Sequence, residues 1–231
     1  MQSLAALPRG NFSLRQRVVE RLRDAILDGT LAPGQKLVEK DLCAQLDVSR
    51  SLLRESLQQL QAEGLITNIV HRGPSVATIT REEACEIYEV RRSLETLAAN
   101  AFARNASTEL VQLLRQKLET LKQLGPGSTS SLLEAKNAFY ATLIDGCGNR
   151  LVGQILTVLN NRVTVLRRLS LSTEGRLDET LNELEGVVQA IETRQPEQAG
   201  LLCATHVQNA ERTMLRQFPE STVDDSTQRP S

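Results

Sequence analysis

The run Val48-Ser49-Arg50-Ser51-Leu52-Leu53-Arg54-Glu55-Ser56-Leu57 restricts the fold more than any other part of the chain. Leu53, Leu57 and Leu60 recur at helical spacing and make one apolar stripe, whereas Arg50, Arg54 and Gln58 recur on another face. The leucines require a core; the arginines require water or an anion. Ser49 is placed to cap this helix, and guanidinium groups beside a helix N-terminus suit backbone phosphates and guanine edges in a major groove. Exposed arginines also merely solubilise many surface helices, so the neighbouring segments must decide.

They complete a pattern. Leu14, Val18, Leu22 and Ile26 have helical spacing, closed by Asp28-Gly29. Pro33-Gly34 makes a turn into a short strand around Gln35-Lys36-Leu37-Val38, and Glu39 to Leu46 reads as a second helix, with Asp47-Val48 as the turn into the third. Leu65-Ile66-Thr67-Asn68-Ile69-Val70 and Ser75-Val76-Ala77-Thr78-Ile79 are β-rich runs around His71-Arg72-Gly73-Pro74. Helix, strand, helix, recognition helix and two-stranded wing is the order of a winged helix-turn-helix.

With the run Gly29-Thr30-Leu31-Ala32-Pro33-Gly34-Gln35-Lys36-Leu37 and the Ser-Arg-x-x-x-Arg-Glu helix that follows it, this part of the chain resembles the bacterial GntR family of transcription regulators. The resemblance covers about residues 13–79; where the family has a proline inside the Ser-Arg motif, this chain has Leu52-Leu53. It implies DNA contacts at Lys40 on the second helix, at Ser49, Arg50, Ser51 and Arg54 on the recognition helix, and at His71, Arg72 and Gly73 on the wing tip. A glycine suits a tip that must approach a groove closely.

The 231 residues, 40% of them hydrophobic, are enough for two packed cores. The net charge of −1 does not advertise nucleic-acid binding, but residues 1–79 hold ten Lys/Arg against eight Asp/Glu, and the remainder 17 against 20. Binding must therefore depend on where the basic groups sit and on doubling the site in a dimer. The chain lacks an 18-residue apolar run and an N-terminal apolar signal, so no membrane partner is expected and the expected place of action is the bacterial cytoplasm, at the nucleoid when DNA-bound. Cys43, Cys85, Cys147 and Cys203 have no CxxC spacing and are expected to be reduced.

From Arg81 onward the periodicity is helical. Ile87, Val90, Leu94 and Leu97 mark one helix, and Leu110, Leu113, Leu114, Leu118 and Leu121 a second, capped by Ser107. After a break at 125–130 come helices over 131–145, 151–171, 177–193 and 196–218. The fold class is therefore mainly α: a flexible arm at 1–12, the winged helix-turn-helix at 13–79, a helical effector-binding and dimerisation domain at 80–219, and a disordered tail at 220–231.

The segments Ile87-Tyr88-Glu89-Val90-Arg91-Arg92-Ser93-Leu94-Glu95, Ala138-Phe139-Tyr140 with Gly148-Asn149, Val187-Val188-Gln189-Ala190-Ile191 and 199–206 make this second region similar to the FCD branch of the same family. That resemblance implies a homodimer whose bundle senses small organic acids, in many members through a divalent metal held by an aspartate and three histidines. The corresponding positions here read Lys136, Tyr140, Leu184 and His206, so no metal or other cofactor is expected. Candidate effector-binding residues are Arg91, Lys136, Tyr140, Arg162, Glu185 and His206. For Arg91 and Arg162 an inter-helix or dimer-interface ion pair is an equal alternative, for His206 the alternative is a core histidine paired to a neighbour, and Arg167-Arg168 read as a solvated face.

The expected function is a metabolite-responsive repressor that binds a pseudo-palindromic double-stranded operator as a homodimer. Two other classes compete with this reading. An architectural dimerisation protein accounts for the bundle but not for the winged-helix run. An enzyme lacks support, because the chain has no nucleophile elbow, phosphate-cradling glycine loop or HExxH motif.

Overall fold

The computed structural model describes residues 13–69, 73–125, 129–171 and 173–218. The expected arm at 1–12, the tail at 220–231 and the wing-tip residues His71 and Arg72 lie outside the described residues.

Helix α1 (Leu14–Leu27) is capped by Ser13, whose Oγ accepts from Gln16 N at 3.3 Å. It buries Val18, Val19, Leu22 and Ile26, while Leu14, one residue beyond the reach of the core, is 54% exposed. The second helix, α2 (Glu39–Leu46), ends at Asp47, a non-glycine residue in the left-handed region at φ 50°. That reversal turns the chain at once into α3 (Arg50–Ala62). Leu53, Leu57 and Leu60 of α3 close over α1, and Leu65, Ile66 and Val76 seal the core from the wing. The wing is an antiparallel pair, β1 (Ile66–Ile69) with β2 (Gly73–Val76), in the register Ile66↔Val76 to Ile69↔Gly73. The strand expected around Lys36 reduces to a single bridge with Ser75. The second wing strand starts earlier and ends sooner than expected, because residues 77–80 run on to the cap of the next helix.

Thr80 caps α4 (Arg81–Asn105), and Ser107 caps α5 (Thr108–Leu124); each side-chain oxygen accepts a backbone N–H three residues ahead. Then follow α6 (Thr129–Gly146), α7 (Arg150–Leu171), α8 (Arg176–Glu192) and α9 (Pro196–Leu215), with Pro196 in the first turn, where its missing N–H has no helical partner to lose. The core of this bundle is built from Phe102, Leu114, Leu118, Phe139, Leu184, Val188 and Ile191, with small residues such as Ala99, Ala103 and Ala199 at the close approaches. Gly146 is one such approach: a Cβ there would lie 2.1 Å from the Phe102 ring.

The apolar stripe expected on α4 is not the one that is buried. Val90 and Leu97 are exposed, and the inward face carries Ala84, Ile87, Tyr88, Arg91, Glu95, Ala98, Ala99 and Phe102. Two charged residues therefore enter the bundle, and two apolar ones leave it. Leu94 and Ala101 pack beside Val152 and Leu156 of α7, which sets Val90 and Leu97 next to a second exposed apolar row, Leu151, Ile155 and Val158. On α5, likewise, Val111 is buried and Leu113 is outside.

The two halves meet along α7. Its Val165 packs against the winged-helix core. Its Arg162 pairs with Glu83 in the first turn of α4 and presses on Gly64, at the end of the recognition helix, where a Cβ would lie 2.6 Å from Nε. Among the described residues no helix is long and apolar enough to cross a membrane.

Candidate functional site

Two groups of polar side chains stand out, one on the surface of the winged helix and one inside the bundle. The first is set by the N-terminus of α3. Ser49 Oγ accepts from Leu52 N at 3.3 Å and lies 3.1 Å from Ser51 Oγ, so two hydroxyls and the unpaired N–H groups of the first turn face outward together. Lys40, Ser49, Arg50, Ser51 and Arg54 are all exposed. Arg54 is gripped by Glu39 of α2: Nε lies 3.0 Å from both carboxylate oxygens and Nη2 lies 2.9 Å from Oε2. This pair holds a 64% exposed arginine in one direction, at the edge of a groove of about 240 Å3 between α3 and the wing. Gly73 opens β2 at φ +79°, a conformation a side chain would strain, and nothing lies within 4 Å of where its Cβ would be. Of the expected contacts, only His71 and Arg72 lie outside the described residues.

The second group is buried. On α4, Arg91 Nε donates to Glu95 Oε1 at 2.9 Å, both residues being at most 2% exposed, and the Arg91 guanidinium lies 4.7 Å from the Tyr88 ring centre. From α7, Arg167 covers the Tyr140 ring at 4.0 Å, approaches Glu95 at 4.0 Å and donates to Asn137 Oδ1 at 2.7 Å. Lys136 and Tyr140 come from α6, one turn apart, and His206 from α9, its ring centre 6.3 Å from that of Tyr140. Glu183 of α8 closes the set. It accepts from His206 Nδ1 at 2.5 Å, from Arg176 Nη2 at 2.7 Å and from Asn209 Nδ2 at 2.7 Å.

Burial governs the protonation of this group. It pushes His206 down to about 4 despite the carboxylate at Nδ1, so the ring is neutral at pH 7 and its Nε2 carries a bare lone pair. Burial, together with Arg167, Arg176 and Arg91, holds the Lys136 ammonium well below its ordinary value. Burial and the neighbouring Arg91 lower Arg167 to about 10. Burial opposes the ionisation of Glu183, but His206, Arg176 and Asn209 win and lower it to about 2.

The geometry gathers Arg91, Lys136, Tyr140 and His206 of the expected effector residues into one cluster. It leaves two out. Arg162 lies at the junction with the winged helix, paired with Glu83, because α7 turns that position toward α3. Glu185 lies on the outer surface of α8, 2.6 Å from both Arg115 and Lys122, because its neighbours Leu184 and Glu183 take the inward positions. Arg167, read from the sequence as solvated, is instead 4% exposed in the middle of the cluster. Its signal was present: it continues the buried row Val152, Leu156 and Val163 at helical spacing. Glu95, Arg176 and Glu183 were missed as well, and only Glu95, one turn from Arg91, carried a local cue.

Several of these atoms have no protein partner. Arg91 Nη1, Arg167 Nε, Tyr88 Oη, Tyr140 Oη, Glu95 Oε2 and His206 Nε2 are buried without a hydrogen bond. Leaving such a group unsatisfied costs about 1–3 kcal/mol, more for a charged one. The metal pattern that the FCD resemblance implies would use positions 136, 140, 184 and 206. His206 alone keeps the posture of a ligand, with Nδ1 on a carboxylate and Nε2 free. The buried Lys136 and Leu184 bring no carboxylate or imidazole, and among the described residues no three His, Cys, Asp or Glu side chains stand close enough to hold an ion. This donor set does not fit a divalent cation.

Comparison with known proteins assigns both halves. The model of the bacterial regulatory proteins, gntR family, matches residues 14–76, and that of the FCD domain matches residues 86–209. An uncharacterised HTH-type transcriptional regulator of Bacillus subtilis, YdhC, is 28% identical over 78% of this chain and 81% of its own. The gluconate operon transcriptional repressor of Bacillus licheniformis is 30% identical over 74% of this chain and 70% of its own. Among solved structures, a regulator described as GntR from Rhodococcus sp. RHA1 superposes with a TM-score of 0.77 at 26% identity, over 90% of this chain and all of that one. Escherichia coli McbR/YncC shares the fold, also at a TM-score of 0.77, with 20% identity over 90% of this chain and all of that one.

Proposed function

Because the chain belongs to the gntR family of bacterial regulatory proteins, carries an FCD domain and is a DNA-binding transcription regulator, we propose that it acts as a homodimeric, effector-released repressor in the cytoplasm. The observation that carries this reading is the position of α7. One face of that helix enters the buried ionic cluster through Arg167, and five residues earlier Arg162 bears on the end of the recognition helix.

Two recognition helices related by a dimer axis meet two operator half-sites. Lys40 and the first turn of α3 take the phosphates, Arg50 and Arg54 take base edges, and the wing around Gly73, with His71 and Arg72, takes the adjacent backbone. The dimer is supported by the exposed apolar rows Val90 and Leu97 on α4 and Leu151, Ile155 and Val158 on α7, a contiguous face that a second copy would cover.

Release follows from linkage: an effector must bind the DNA-incompetent arrangement more tightly, or it shifts nothing. The geometry offers a short path. Asn137 accepts from Arg167 and also lines a groove of about 160 Å3 with Asp24 and Leu27 of α1 and Asp28 just after it. A shift of Arg167 toward a ligand therefore disturbs the seat of the winged helix directly, with residues 78–80 as the hinge.

The test is fluorescence anisotropy on duplex DNA from upstream of the chain's own gene. Wild type is expected to bind with a stoichiometry of two chains per site and a steep salt dependence. Binding indifferent to sequence, or by one chain per site, overturns the reading.

A further inference from the structure

We infer that Glu39 is a specificity-determining residue for DNA: by gripping one edge of the Arg54 guanidinium it offers the opposite edge to base acceptors rather than to backbone phosphates. This role presupposes the base-edge contact given to Arg54 above and adds the residue that enforces it.

The cations of α2 and α3 are not held alike. Lys40, Arg50 and Arg54 are all exposed, yet among the described residues only Arg54 meets a carboxylate, that of Glu39 across the turn joining the two helices. Nε lies 3.0 Å from both carboxylate oxygens and Nη2 lies 2.9 Å from Oε2, so Glu39 occupies the edge formed by Nε and Nη2. A guanidinium carries five N–H donors in a planar fork. Those left over are the two on Nη1 and the second on Nη2, the edge that matches guanine O6 and N7.

Stability does not account for the pair. Arg54 is 64% exposed, and an ion pair in water contributes little to a fold. Nor does the N-terminus of α2 depend on Glu39, because Asp41 supplies a negative charge in the same first turn.

The carboxylate also decides what the free edge can meet. A phosphate approaching Arg54 brings its charge close to that of Glu39, and their repulsion offsets much of the attraction to the arginine. Guanine O6 and N7 are neutral acceptors and escape that repulsion. Arg50 has no carboxylate beside it and can take either partner. Gln58, one turn further along α3, is exposed and lines the same groove of about 240 Å3 as Glu39 and Arg54. Being uncharged, it adds hydrogen bonds to a base without attracting the backbone. Glu39 thus trades general attraction for discrimination, in a region where ten Lys/Arg already face eight Asp/Glu over residues 1–79.

The test uses the full-length protein and its Glu39→Gln, Arg54→Lys and Arg54→Ala variants in fluorescence anisotropy. The probes are a duplex that wild type enriches from a random-sequence pool, every single-base-pair substitution of it, and a scrambled duplex. The base pair read by Arg54 is the one whose substitution weakens wild type but not Arg54→Ala. At that pair Glu39→Gln is expected to lose about tenfold in discrimination. On scrambled DNA it is expected to bind more tightly than wild type, with a salt slope steeper by about 1 per chain, because the released arginine takes a phosphate. Arg54→Lys keeps the charge but has no second edge, and is expected to lose the same discrimination. Both variants are expected to melt within error of wild type. Unchanged discrimination in either variant, or an equal loss by Glu39→Gln on selected and scrambled DNA, overturns the role of Glu39 and leaves the base contact of Arg54 standing. If instead Arg54→Ala loses discrimination at no base pair, or wild type enriches no sequence, the reading above fails and this role with it.

Discussion

The two halves of this chain use the same residue types in opposite places. The winged helix buries Leu53, Leu57 and Leu60 and holds Arg50 and Arg54 in water. The bundle buries Arg91, Lys136, Arg167 and Arg176 and leaves Val90, Leu97, Leu151, Ile155 and Val158 outside. An exposed guanidinium keeps its hydration until a large polyanion displaces it and releases counterions, which suits DNA. A buried one has already lost its water and must be met inside the bundle, as Glu95 meets Arg91 and Glu183 meets Arg176. The exposed leucines and valines of the bundle are the reverse case: they form the apolar face that the proposed dimer would cover. Where a charge or an apolar group sits, rather than how many there are, separates the two halves. The nearly neutral net charge of −1 is the sum of these opposing arrangements and describes none of them.

If the buried charges are as interdependent as this contrast requires, removing Glu95 has the largest effect. Glu95→Ala leaves Arg91 unpaired and Arg167 without its nearby carboxylate, and about 3–5 kcal/mol of stability should be lost in urea unfolding. A loss below about 1 kcal/mol, the scale of surface pairs, would erase the distinction between the two halves. The apolar face comes next. Val158→Asp, at a position 73% exposed in the single chain, should weaken self-association about a hundredfold by sedimentation, roughly 2.7 kcal/mol. Unchanged association would move the dimer interface elsewhere.

In the winged helix the expected effect falls on binding alone. Arg50→Ala should weaken operator affinity by about 1–3 kcal/mol and leave the melting temperature within error, because the side chain touches water and not the core. A large fall in melting temperature would show that the exposed arginine is structural after all. The smallest effect belongs to the surface of the bundle. Arg115 and Lys122 lower the Glu185 carboxyl below its ordinary 4.5, so its stabilisation is full above that pH and is lost as the pH falls through the folded-state value. Solvent screens this partly exposed group, so Glu185→Gln should cost under about 1 kcal/mol at pH 7 and progressively less as the pH falls below 4.5. A cost that does not change with pH would assign the effect to packing.

Much of the molecule is legible in the residues. Ser49 and Ser107 announce helix starts, Asp28-Gly29 a helix end, and the leucine spacing of the third helix its buried side. Local hydrogen bonding and periodicity decide these, and both lie within a few residues of chain. The α4 stripe shows where that reasoning stops. Val90, Leu94 and Leu97 form a good apolar row, yet the row that faces the bundle contains Arg91 and Glu95, because α7 and α6 bring Arg167 and Tyr140 to that side. Arg167 was misjudged for the same reason. An arginine reads as solvated until Tyr140, Asn137 and Glu95, contributed by two other helices, surround it.

The sequence by itself determined the order of elements, the recognition helix and its exposed basic face, and the replacement of three of the four expected metal-ligand positions, since each of these is a property of residues adjacent along the chain or one helical turn apart. Only the tertiary structure decided which side of α4 and α7 is the inside, that Glu185 and Arg162 stand apart from the cluster, and that Arg91, Lys136, Tyr140, Arg167 and His206 share one dehydrated space. Burial and electrostatic partnership are set by what other helices bring within a few ångströms, and nothing local in the chain encodes that.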